Sequence, residues 1–130
     1  MLEVSKVVYT GHFPGIGAHH WRMALIVCPT TVVNAAIERV WAVLTDPVSY
    51  QHWAGAELVR ASPPGPVREG QVLDFRTREL GVAFRVRMDV GKPEPPRLLP
   101  LRVHMPFGIV NDERITLAPL DPVRTRVTLN

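Results

Sequence analysis

Cysteine is almost absent: Cys28 stands alone among 130 residues, so no intramolecular disulfide can form. So little cysteine fits a reducing, cytosolic setting, and beside Pro29 the thiol reads as a small hydrophobe rather than a nucleophile. Long apolar runs are missing too. Residues 23–28 fall far short of the ~20 needed to span a membrane and follow no charged n-region, which argues against integral membrane association. Aromatics make up only 7% of the chain, and no basic cluster is interleaved with them. Nucleic acid is therefore a poor partner despite a net charge of +3 and a pI near 9.6. No Ser-His-Asp, Cys-His or HExxH arrangement occurs, which excludes hydrolase and zinc-peptidase chemistry, and no cofactor is implied.

What is present suits one globular domain, with 46% hydrophobic and 21% charged residues. Residues 1–22 stand apart. Residues 4–9 have strand character, but 11–17 hold three glycines and Pro14 without periodicity. His12, His19 and His20 invite a metal reading, yet no Cys, Asp or Glu nearby completes a shell, so the stretch is expected to be an exposed or disordered leader. Met23 is an alternative start, and residues 23–130 form the expected domain.

Helical periodicity is confined to residues 34–53. Ile37, Val40, Trp41 and Leu44 share one face, with Asn34 as the expected N-cap. Thr45-Asp46-Pro47 stops that helix and starts a second over residues 47–53, with Asp46 as N-cap, Pro47 at N1 and Gly55 at the end. Before it, Pro29 and residues 30–33 suggest an edge strand. After it, segments alternate with period two between Gly and Pro turns, the pattern of an antiparallel sheet with one buried face. Leu73, Phe75 and Thr77 oppose Asp74, Arg76 and Arg78. Phe84, Val86, Met88 and Val90 oppose Arg85, Arg87 and Asp89. Leu99, Leu101, Val103 and Met105 oppose Arg102 and His104, and Thr125, Val127 and Leu129 oppose Arg124 and Arg126. The arginine face is expected to be solvated.

Residues 34–47, from Asn34-Ala35-Ala36 through Val40-Trp41 to Thr45-Asp46-Pro47, followed by Tyr50 and Trp53, resemble the START-like (SRPBCC) superfamily, in particular its polyketide cyclase/dehydrase branch. Gly65-Pro66 with Gly70, Asp112-Glu113-Arg114 and Thr125-Arg126-Val127-Thr128 extend the match over residues 23–130. Ala36 replaces the usual proline, a mild departure because that proline only pre-sets the first helical turn. The resemblance implies an α+β helix-grip fold: a curved antiparallel sheet with two short helices after the first strand. Such proteins close the concave face with a long C-terminal helix. This chain has no helical pattern after its last strand, so the expectation is a truncated domain or an open face covered by a partner, such as a second copy in a homodimer.

The same resemblance implies a hydrophobic small molecule or lipid bound between sheet and helices, for transport, sensing or sequestration. Alternatives are a polyketide cyclase/dehydrase-type enzyme and a protein-interaction module like the Hsp90-activator relatives. Trp53, sent toward the cavity mouth by the helix corner, and by alternation Leu73, Phe75, Thr77, Phe84, Val86, Met88, Leu101, Val103, Met105 and Ile115 are the inward candidate ligand-lining residues. Glu113 alternates with Ile115 and Leu117 and so faces inward, where its pKa should rise and fit it for acid/base work; the alternatives are a place at the sheet edge in water or a pair with an arginine. His52 is a weaker candidate for the cavity mouth.

Overall fold

The computed structural model describes residues 30–79 and 81–130; the leader, its histidines, Met23 and Cys28 lie outside that range. Among the described residues seven strands build one antiparallel sheet: β1 (Thr30–Val33), β2 (Ala56–Ser62), β3 (Val72–Glu79), β4 (Val82–Val90), β5 (Leu98–His104), β6 (Val110–Asp121) and β7 (Arg124–Leu129). Their order is β1-β7-β6-β5-β4-β3-β2. From β2 to β7 each strand pairs with the next, and only β1 crosses over, aligning Thr30 with Thr128 and Val33 with Thr125. Among the described residues the sheet edges are β1 and β2. Helices α1 (Ile37–Leu44) and α2 (Tyr50–Trp53) connect them, packing on β6 and β7 at one side and on β2 at the other. This is the expected helix-grip arrangement, and no long helix follows β7 among the described residues.

The α1 face forms as its periodicity requires. Val40 and Leu44 are fully buried, and Ile37 and Trp41 pack partly against the core. Its cap differs from expectation. Ala36, not Asn34, holds the N-cap position, with extended backbone and no side-chain bond. The Ala35 carbonyl just ahead of it accepts a 2.8 Å hydrogen bond from Thr125 Oγ1, so β7 rather than an asparagine side chain fixes how the chain enters the helix.

The Thr45-Asp46-Pro47 corner is stitched by short bonds. Thr45 Oγ1 donates to the Trp41 carbonyl at 2.8 Å, and the Asp46 carboxylate caps Val48 N at 3.2 Å. Pro47–Ser49 is a 3-10 turn leading directly into α2. Ser49 Oγ donates toward the carbonyls of Val43 and Asp46, each at 2.7 Å, and accepts from Trp53 Nε1 at 3.2 Å. Tyr50, fully buried, donates its hydroxyl to the Leu44 carbonyl at 2.7 Å and stacks its ring on Phe75, centroids 5.1 Å apart. Burial holds the Tyr50 phenol well above its usual pKa, so it remains a donor.

Outward-facing charges pair across strands, Arg76 with Glu57, Arg102 with Asp112 and His104 with Asp89, while Arg87 reaches Asp89 along β4 itself. All are substantially solvated, so each contributes little to stability.

Candidate functional site

The inner face of the sheet divides into two zones. Nearest the helices it is closely packed: Trp53 tilts against Tyr50 at a centroid distance of 4.5 Å, while Leu73, Phe75 and Leu99 are fully buried. Thr77 borders this zone and donates from Oγ1 to the Gly55 carbonyl at 3.2 Å. Beyond it, Val86, Leu101, Val103 and Ile115 are buried as a floor, and the half-buried Phe84, Met88, Met105 and Leu129 pack against them. Ladder register brings these residues together, pairing Leu73 with Met88, Met88 with Val103 and Ile115 with Leu129.

Glu113 stands in the second zone. It pairs across the ladder with Leu101, on the same face as Ile115 and Leu117. Its carboxylate is half-buried, and among the described residues it makes no hydrogen bond or ion pair. Burial alone pushes its pKa above the ordinary value of 4.5. A carboxyl so placed holds a proton more readily than a solvated one.

Alternation carries two further residues onto this face beyond the candidate ligand-lining set. Leu129 follows Thr125 and Val127, and Asn111 lies two residues before Glu113, opposite Val103. The period-two signal was available for both. His52 is exposed on α2, its Nε2 3.4 Å from the Gln51 amide nitrogen. A separate surface groove of about 390 Å³ lies outside the apolar face, at the β2–β3 edge, and is lined mainly by Gln51, Glu57, Arg76 and Arg78 with Thr77. Among the described residues no three His, Cys, Asp or Glu side chains gather to hold a metal, and no helix is long and apolar enough to cross a membrane.

Solved structures share this architecture. DynU16, from the dynemicin biosynthetic locus, superposes with a TM-score of 0.59 at 23% identity, covering 79% of this chain. This chain spans only 35% of DynU16. CalU16 from Micromonospora echinospora gives 0.52 at 21% identity, over 78% of this chain and 57% of its own. Ms6760 from Mycobacterium smegmatis gives 0.60 at 18% identity, over 77% and 69%. At such identities the likeness is one of fold. Among curated proteins none matches the sequence. The family profile described as polyketide cyclase / dehydrase and lipid transport matches residues 26–130, about four-fifths of the chain, and the protein belongs to that family.

Proposed function

We propose that the inner face binds a hydrophobic small molecule or lipid, for transport, sensing or sequestration. The observation that carries this reading is the second zone: half-buried Phe84, Met88, Met105 and Leu129 over a buried apolar floor that also holds the Glu113 carboxylate. Apolar lining with few polar groups suits a ligand held mainly by desolvation and oriented by one or two hydrogen bonds. Trp53, Leu73, Phe75 and Thr77 form the closed end of this site. Methionines favour tolerance of ligand shape, because the thioether chain is flexible and polarisable.

The test is native mass spectrometry of the full chain from cells, paired with a thermal-shift panel of lipids and polyketides. A co-purified apolar ligand is expected. Ligand at a hundredfold its dissociation constant should add about 2.7 kcal/mol to stability. No adduct, and no shift across the panel, would count against binding.

One observation favours a second reading, an enzyme of the cyclase/dehydrase type. Glu113 combines partial burial, a raised pKa and a position among ligand-lining residues, the properties of a general acid/base toward an enolisable ketone. Glu113→Gln should abolish turnover of a polyketide substrate without lowering the melting temperature. Unchanged turnover would remove Glu113 from any mechanism.

A further inference from the structure

Where β5 ends and β4 begins, large apolar side chains project into water. Phe107 is 99% exposed, Val82 63%, and Ile109 and Val110 49% each. The 3-10 turn Pro106–Gly108 packs beside β4, so Val82 and the β5–β6 turn border the same end of the sheet. Alternation with Phe84 and Glu113 puts Val82 and Ile109 on the inner-face side, at the rim of the proposed ligand zone.

The backbone holds Phe107 outward. Its φ of 66° lies in the left-handed region, unfavourable for a residue without a short polar side chain, and Gly108 follows at 72°. Two consecutive left-handed residues, closed by the Met105 N–H donating to the Ile109 carbonyl at 2.8 Å, lift the ring away from the sheet. Neither burial nor backbone preference explains a phenylalanine there. Backbone strain of this kind clusters at functional positions.

The strand beside this turn, β4, and its neighbour β3 carry cationic groups on their outer face. Arg78 and Arg85 are exposed near the ends of β3 and β4, and neither forms an ion pair among the described residues. Arg85 lies directly across the ladder from Arg76, a like-charge pairing that folding does not favour, although Glu57 neutralises Arg76. A projecting apolar tip with arginines behind it complements a bilayer whose surface is anionic and whose interior is apolar. Protein interfaces of any strength need a broader complementary surface than two turns provide.

We propose that the rim formed by Phe107, Ile109, Val110 and Val82, with Arg78 and Arg85, docks the protein on an anionic phospholipid surface, opening the inner face toward the bilayer. The surface rests on the ligand-binding reading only for its purpose, to load or deliver an apolar ligand. Docking and ligand uptake can therefore fail separately.

The experiment is co-sedimentation of the full chain with phosphatidylcholine vesicles, with and without phosphatidylserine, beside uptake of a fluorescent fatty acid in vesicle-free buffer. Binding to the phosphatidylserine vesicles is expected, weakening as salt rises. Phe107→Asn should lower it roughly ten- to a hundredfold, the loss of one interfacial phenylalanine. Arg78→Ser and Arg85→Ser should each lower it about fivefold. Asparagine tolerates the left-handed region, so the Phe107→Asn melting temperature should not fall, and fatty-acid uptake should be unchanged. Equal binding to both vesicle types, binding insensitive to Phe107→Asn, or Phe107-dependent self-association without vesicle binding would each overturn the proposal. Phe107-dependent docking with no fatty-acid uptake would uphold the surface and sink the ligand reading instead.

Discussion

Asp112 and Glu113 are consecutive in the chain, and the pleat turns them to opposite faces of β6 with opposite consequences. Arg102 donates to Asp112 at 2.7 and 3.1 Å and holds its carboxyl below the ordinary range, while burial raises Glu113. Because the folded state binds the Glu113 proton more tightly than the unfolded chain, stability from this group is fully present below about pH 4.5 and lost as pH rises through the folded value. Glu113→Gln should therefore raise the melting temperature at pH 7, with the gain shrinking as pH falls toward 4. A variant less stable than wild type at pH 7 would mean that the carboxylate is paired in solution. Tyr50→Phe tests a different kind of burial. Removing the hydroxyl leaves the Leu44 carbonyl without its 2.7 Å side-chain donor inside the core, and urea unfolding should register a loss of about 1–2 kcal/mol. The inward placement of Glu113 was legible from period two alone. The role of Tyr50 was not, because a lone tyrosine after a helix corner gives no sign of which distant ring, here Phe75, it will meet.

At the scale of elements, the strands were legible because alternation and turn residues agree, and the corner because Thr45-Asp46-Pro47 carries its own capping chemistry. Features fixed by distant partners were not. The N-cap shifted to Ala36 because the chain entering α1 is tied to Thr125, ninety residues away. The loop after β2 is pinned by Gln71, which donates from Nε2 to the carbonyls of Pro63 and Gly65 at 2.7 and 3.1 Å. Nor does the sequence show why the link after β4 begins with Gly91. A Cβ there would lie 2.9 Å from Pro100 Cγ, while Gly91 N donates to the Pro100 carbonyl at 2.9 Å. The proline ring yields little, so Gly91→Ala must push β4 and β5 apart where they join. Its expected cost is about 1–3 kcal/mol by thermal or urea unfolding. Gly65→Ala, which meets no atom within 4 Å and carries its penalty in a φ of 109° alone, is the comparison that separates contact from backbone strain.

Over the whole molecule, the crossover of β1 to β7 joins residue 30 to residue 128, and the helices link the opposite edges, so the inner face belongs to one continuous body. That body divides its apolar residues between two tasks. Leu99, Leu73 and Leu44 are wholly enclosed, whereas Phe84, Met88 and Met105 are half-buried on the same side. Enclosed residues contribute through packing, so Leu99→Ala should cost about 2–5 kcal/mol of stability. A half-buried side chain loses less when truncated, since little cavity forms around it. If the inner face takes an apolar ligand, the same side chain gives up much of its remaining surface to that ligand. Phe84→Ala should then leave the melting temperature of the free protein close to that of a surface change such as Val123→Ala, while reducing fatty-acid affinity about tenfold or more in a fluorescence titration. Loss of stability with unchanged affinity at Phe84 would assign it to the core and leave the second zone without a ligand. Loss of affinity at full stability would place the ligand against β4, on the floor that Val86 and Val103 provide.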